Sequence, residues 1–350
     1  MNHNDRFGRV LRSLWNRIPG EQGGETVRFS DSSVRAFYNE PDELISFSSG
    51  SAELHNLMQM PPPIIVERGP VSPCSLREVP VEITDRFYDI PPELYAVLEP
   101  HLPELRTVFN RRNLHSELLV RLRSIDGRTL RLEKTSYYRS FVTNLCPDYR
   151  VGTDKTIRDL TRDLLLDTDE TIRCIERSPF SNHLGGGGLV ISHDGRVLFP
   201  IRTDKVTTSP GKMGLSFSGS MNYRSSDTTL WAMLSEEMTE EIGIHNNDII
   251  DVYHLGVIRD MRWLGKPSVL SVVIGDKYIR YADISDENQT IIEFDLNLDY
   301  EIENIYDIVR HETVATLIRE LSAYTETNRV DLSTNLISLL HFLNKYTRTK

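Results

Sequence analysis

What this chain lacks narrows it first. Its 350 residues contain only three cysteines, Cys74, Cys146 and Cys174, set far apart. They form no CxxC pair and no disulfide framework, so a reducing cytoplasm is the expected setting and each thiol reads first as a small buried hydrophobe. No run of about 18 apolar residues occurs, so no membrane span is expected. The N-terminus lacks the apolar core and small-residue cleavage site of a secretory signal. Positive charge is also short. A formal net charge of −11 argues against general nucleic-acid or anionic-membrane binding and leaves room only for a local basic patch.

What is present belongs to a soluble globular protein, with 39% hydrophobic and 26% charged residues, and 350 residues exceed one ordinary core. Three parts are expected. Residues 1–91 combine an amphipathic helix with a Pro/Gly/Ser-rich connector. In "DRFGRVLRSLWNRIPG", Phe7, Val10, Leu11, Leu14, Trp15 and Ile18 share a face, with Arg6, Arg9, Arg12 and Arg17 around it. That helix suits either docking on the protein's own body or a membrane surface or protein partner. The proline density of "MQMPPPIIVERGPVSPCSLREVP" implies an extended connector and not a core element.

Residues 92–175 read as a small α+β domain. "PPELYAVLEPHLPEL" is a helix opened by proline, and "ELLVRLRSIDGRTLRLEKT" is a hairpin turning at Asp126-Gly127. "SYYRSFVTNL" and "TIRDLTRDLLLD" read as helices. Residues 176–350 open with a second hairpin, "GGGGLVISHDGRVLFPIRT", turning at Asp194-Gly195. Its four glycines, Gly185 to Gly188, lack the GK[ST] ending of a phosphate loop and precede a strand, so close packing against a neighbour explains them better. Strands follow at "DVYHLGVIRD", "SVLSVVIGD", "YIRYADI" and "TIIEFDL". Helices close the chain at 303–322 and 333–346, the last capped by Ser333.

The segment "LWAMLSEEMTEEIGI" poses an electrostatic problem. Glu236, Glu237, Glu240 and Glu241 crowd the last turns of a helix stopping at Gly243, where the helix dipole is already negative and like charges repel. On the helical wheel Leu230, Trp231, Leu234, Met238 and Ile242 form one stripe. Glu237 and Glu241 lie at its edge, Glu240 lies beside them, and Glu236 points away. A solvated acidic face is one reading. The other is a divalent hard cation, which takes several oxygens and would remove both penalties.

"EEMTEEIGI" is similar to the end of the Nudix box, GX5EX7REUXEEXGU with U aliphatic. Anchoring on Glu240, Glu241 and Gly243 places Glu237 at the first metal-binding glutamate and Met238 at the aliphatic position. The hairpin ending at Arg202, the loop leading to Gly219 and the strand pair after the box resemble the family's context over about residues 180 to 345. The sequence departs from the box in three places. Glu236 stands for the arginine, Thr228 for the upstream glutamate, and Gly219 lies 17 positions before Glu236 where the motif has 14. Asp227 is then a helix cap or a substitute carboxylate.

The resemblance implies a Nudix-type α/β/α sandwich with a mixed sheet, preceded by the smaller α+β domain. It implies hydrolysis of a diphosphate linkage in a nucleoside diphosphate derivative, dependent on Mg²⁺ or Mn²⁺. Glu237, Glu240, Glu241 and the Gly219 carbonyl would hold the metal, and Glu240 or Glu241 would be the catalytic base. Arg202 and Lys212 would contact phosphate, while Trp263 and Tyr223 either stack on a base or pack. His183, His193 and His254 lack zinc-ligand spacing, and Ser216, Ser218 and Ser220 lack a nucleophile elbow. A catalytically inactive Nudix-like nucleotide-binding or protein-interaction module is the alternative. Expected partners are a nucleotide-type small molecule, a second copy of the chain, or a protein docking through the N-terminal region.

Overall fold

The computed structural model describes residues 64–68, 72–111, 114, 116–151, 155–169, 171–204, 206, 209–223, 229–276 and 288–348. The expected amphipathic helix within residues 1–20, the strand at 278–284, and Asp227 and Thr228 lie outside them.

The chain opens with strands β1 (Ile64–Arg68), β2 (Cys74–Ser75) and β3 (Val81–Phe87), then helices α1 (Pro92–Leu98) and α2 (Leu102–Arg111). The first predicted hairpin forms as β4 (Leu118–Asp126) and β5 (Thr129–Ser136), with Gly127 at φ +60°. A short helix α3 (Tyr137–Ser140) runs on into a π turn over 141–145. Strands β6 (Arg150–Val151) and β7 (Lys155–Thr156) precede α4 (Ile157–Leu165), which Thr156 and Asp159 open with a reciprocal capping box.

The second hairpin is β8 (Gly185–Ser192) and β9 (Arg196–Arg202), with Gly195 at φ +85°. After it come β10 (Phe217–Ser220), α5 (Leu230–Ile242), β11 (Ile249–Asp260), β12 (Lys266–Gly275) and β13 (Asn288–Asp295). Helices α6 (Ile305–Ile308), α7 (His311–Asn328) and α8 (Thr334–Tyr346) end the chain. Ser333 caps α8 as its sequence predicts, its Oγ accepting from Leu336 N at 3.3 Å.

The main sheet has eight strands in the order β1-β11-β12-β8-β9-β13, with β10 on β8 and β2 on β11. β8 and β12 run parallel and the other pairs are antiparallel, so the sheet is mixed as expected. Alternation along each strand sorts its apolar residues between two cores. Leu189, Ile191, Leu270, Val272 and Ile274 pack with α7 and α8, whereas Val190, Val269 and Val273 pack with α5. Between His254 and Gly256 a register shift in β11 reverses this phase, so Val252 faces the α5 side and Ile258 the α8 side. Helices therefore cover both faces, an α/β sandwich.

A second, three-stranded sheet, β3-β5-β4, also packs on the α5 core through Val120, Leu122, Leu130 and Leu132. A third core gathers α1, α2 and α4 around Phe141 and takes in Met261 and Leu264 of the turn after β11. The proline-rich stretch departs from its expected role as mere connector. Ile64 is fully buried, and β1 and β2 extend the main sheet beyond β11. Two consecutive β-branched residues after a proline run can enter a sheet edge, where the missing proline N–H costs nothing. Among the described residues no helix is long and apolar enough to cross a membrane.

Candidate functional site

Helix α5 begins at Thr229, whose hydroxyl accepts from Ala232 N at 3.2 Å. It ends at Gly243, held at φ +67° with its N–H on the Thr239 carbonyl at 3.0 Å, a left-handed cap that favours glycine. All five stripe residues, Leu230, Trp231, Leu234, Met238 and Ile242, are buried. Their burial fixes the rotation of the helix and so decides where each glutamate goes.

The glycines of β8 let this helix and β10 approach closely. A methyl on Gly186 would come 2.5 Å from Leu234 and 2.6 Å from Met221, and one on Gly188 would meet the Phe217 ring at 2.7 Å. This agrees with the packing role read from the sequence. β10 lies along these glycines, from Phe217 opposite Gly188 to Ser220 opposite Gly185.

Two glutamates turn onto β10. Glu241, only 4% exposed, accepts from Ser218 N at 2.7 Å and lies 3.5 Å from Arg202 Nη1, which also donates to Ser218 Oγ at 3.2 Å. Glu237 is half-buried with its carboxylate directly against the Cα of Gly219, filling the space a side chain would need. Glu240 faces solvent, and Glu236 is half-buried. The three expected ligands are thus not drawn into one cage. Among the described residues no three His, Cys, Asp or Glu side chains are arranged to hold a metal ion.

Behind β10 lies an open cleft with a cavity volume of about 60 Å³. Arg202 and Ser218 form the wall it shares with the glutamates. Lys266 and Ser268 of β12, Asp260 at the end of β11, Arg262 and Trp263 just beyond it, Ser209, Gly214 and Leu215 ahead of β10, and Ser333, Thr334 and Asn335 at the start of α8 also line it. Arg262 is clamped by Asp260, its Nη2 donating to Oδ2 at 2.8 Å. Burial pushes the Lys266 ammonium down to about 8, with Asp260 opposing. His183, fully buried beside Ser220 at 3.2 Å, is held well below its ordinary value, first by burial and then by Lys266, so its ring is neutral.

The other residues singled out in the sequence are placed as follows. Arg202 lines the cleft, while Lys212 sits on the neighbouring turn, its carbonyl accepting from Arg202 N at 3.0 Å, and does not line it. Trp263 lines the cleft, whereas Tyr223 takes Lys134 over its ring at 4.5 Å. The Ser216 hydroxyl is spent on β8 and β9, accepting from Val190 N and donating to the Leu198 carbonyl. Cys74, Cys146 and Cys174 are free thiols. Sequence reasoning missed Lys266, Asp260, Arg262, Thr334 and Asn335. A lysine opening the apolar run "KPSVLSVVIG" was the available signal.

No family model matches the chain, and no curated protein matches it. Solved structures resemble part of it. A MutT NUDIX hydrolase from Burkholderia pseudomallei is 20% identical, covering 39% of this chain and 95% of its own, with a TM-score of 0.27. A MutT protein from Methanosarcina mazei is 18% identical over 42% of this chain and 95% of its own, at a TM-score of 0.26. DR0079 from Deinococcus radiodurans is 11% identical over 45% and 80%, at 0.31. All three likenesses are remote.

Proposed function

We propose that the chain is a Nudix-type hydrolase that cleaves a diphosphate linkage in a nucleoside diphosphate derivative, with Mg²⁺ or Mn²⁺ as cofactor. One observation carries this reading. Glu237 and Glu241, one helical turn apart, are seated on β10 at Gly219 and Ser218, and the same β10 borders a cleft with a surplus of cations. The donor chemistry suits a hard cation, since every group is a carboxylate or carbonyl oxygen and no sulfur or imidazole is among them. Glu237, Glu241 and the Gly219 carbonyl are the groups that would hold it, with Glu240 next to them on the solvent side. Bound there, it would supply charge neutralisation of phosphate oxygens and a more acidic water.

The chain's own residues divide the remaining work. Glu241 already receives the Ser218 N–H and faces Arg202. Glu240 is exposed and has no hydrogen-bond partner among the described residues, so proton acceptance from water falls to Glu240. Arg202 stands between the glutamates and the cleft, positioned to share the charge of a diphosphate. Three free thiols suit a cytoplasmic setting. The second reading, a module that binds nucleotide without cleaving it, is favoured by the Arg202–Glu241 contact, in which a guanidinium already occupies one carboxylate.

The test is a panel of nucleoside diphosphate sugars, dinucleoside polyphosphates and dinucleotides, assayed with Mg²⁺ or Mn²⁺. Turnover that disappears with chelator and falls about a hundredfold or more in Glu240→Gln supports hydrolysis. Thermal stabilisation by the same compounds without turnover selects the binding module.

A further inference from the structure

The start of α8 carries polar groups that nothing in the fold accounts for. The first four N–H groups of a helix have no acceptor inside it. Here Ser333 N is taken by the Met213 carbonyl and Leu336 N by the Ser333 hydroxyl, which leaves those of Thr334 and Asn335. Thr334 is only 2% exposed, and its hydroxyl oxygen is buried with no hydrogen-bond partner. Leaving such a group unsatisfied is destabilising, so a ligand that supplies the missing bond would return that stability. Both residues line the cleft behind β10.

The charges in that cleft point the same way. Three cations line it, Arg202, Arg262 and Lys266, against one carboxylate, Asp260. Asp260 is committed to Arg262, and Arg202 lies beside Glu241. The Lys266 ammonium makes no hydrogen bond or salt bridge with a described residue, Asp260 being the one carboxylate whose charge opposes its burial, and it is near enough to Gly185 that a methyl there would meet it at 2.5 Å. A lysine largely withdrawn from water without a partner is costly unless an anion joins it. Its ionisation, displaced downward by burial, reports the same deficit.

We propose that this cleft is a binding site for a phosphoryl group, gripped by Lys266, the Thr334 hydroxyl and the backbone N–H groups of Thr334 and Asn335. An ammonium, a hydroxyl and two N–H groups at a positive helix end match an oxyanion with several acceptor oxygens. In the hydrolase reading, and resting on it, the group held is a phosphate of the substrate on the side of β10 away from the acidic helix. Binding itself requires neither metal nor turnover.

The experiment uses the full chain, stripped of metal by chelation and dialysis, titrated with inorganic phosphate. Amide resonances and heat of binding are followed. The expected result is saturable shifts of the Thr334 and Asn335 amides. Lys266→Met should weaken binding about tenfold or more and Thr334→Val about three- to tenfold, with circular dichroism melts confirming that both variants fold. Absence of those shifts, or a phosphate affinity indifferent to both substitutions, overturns the site. Phosphate binding with no metal-dependent turnover of the panel leaves the site standing and removes the hydrolase reading. Turnover without phosphate binding does the reverse.

Discussion

The two sides of β10 are built in opposite ways. On one side a single helix delivers acidic groups through its own spacing, with Glu237 and Glu241 four residues apart against Gly219 and Ser218. On the other side a basic cleft is assembled from β9, β12, the turn after β11 and the start of α8, segments that meet only in the folded chain. Arg202 belongs to both. A site made by one element depends on that element's rotation, whereas a site made by several depends on whatever holds them in register.

The largest expected effect comes from breaking the assembled side. Arg158 of α4 is fully buried, pairs with Asp148 at 2.8 Å, and donates to the Met261 carbonyl at 2.9 Å and the Arg262 carbonyl at 2.7 Å. Asn144 adds its Nδ2, donating to the Trp263 carbonyl at 3.2 Å. The region ahead of the main sheet thus grips, through backbone carbonyls, the turn that carries Arg262 and Trp263. Arg158→Met should cost about 3–5 kcal/mol in denaturant unfolding, because it takes the guanidinium from the partly buried Asp148 carboxylate and from two carbonyls that it holds. It should also shift the Trp263 fluorescence while leaving α5 helical. A loss below about 1 kcal/mol would show that the cleft does not depend on this grip.

Glu241→Ala probes the single-element side. Removing the carboxylate takes the opposing charge from Arg202, 8% exposed, and the acceptor from Ser218 N, so a loss of about 2–4 kcal/mol is expected. Glu241→Gln should lose less, since an amide oxygen can still accept from Ser218 N. A double-mutant cycle with Arg202→Met should return a coupling of about 1 kcal/mol or more. A coupling near zero would separate the two sides of β10 energetically, although their atoms are close. Gly219→Ala comes next, at about 1–3 kcal/mol, because its methyl and the Glu237 carboxylate compete for one place. Any Mn²⁺ affinity measured calorimetrically should fall with it, as Glu237 is turned away.

The contrast also explains what the sequence made readable. The hairpins at Asp126-Gly127 and Asp194-Gly195, the Ser333 cap and the α5 stripe are local signals, carried within a few residues, and each reappears in the structure. The stripe even ranked the glutamates, placing Glu237 and Glu241 at its edge, and these two reach β10. What the wheel cannot show is that Glu240 parts from them toward solvent, because that depends on where β10 ends. β1 was hidden behind prolines, since the buried face of Ile64 exists only once β11 is alongside. The cleft was invisible because Lys266 and Thr334 lie 68 positions apart and share no spacing rule. Lys212, adjacent in sequence to the candidate loop, stays outside the cleft, while Lys266 occupies it.

The smallest effect has the most distinctive sign. Lys266 has its ionisation lowered from 10.5 to about 8 by burial, so between those values the unfolded chain binds more protons than the folded one. Stability contributed by this group therefore rises as pH climbs from about 8 to 10.5, and the penalty is fully present below about 8. Lys266→Met removes that penalty. In the ligand-free protein at pH 7 it should stabilise by about 1–2 kcal/mol, less than the full displacement because solvent reaches part of the side chain. Buried tyrosines such as Tyr88 and Tyr346, held above their ordinary range, destabilise wild type and variant alike at high pH, so they cancel in the difference. The gap between the two proteins should be flat below pH 8 and close by about pH 10.5. With saturating phosphate at pH 7 the gap should shrink by about 1.4 kcal/mol for each tenfold by which the substitution weakens binding, because a ligand that binds only the folded state adds stability with the logarithm of its affinity. A variant less stable than wild type at pH 7 without ligand would mean that the lysine is already compensated within the fold, and the cleft would then have no charge waiting for an anion.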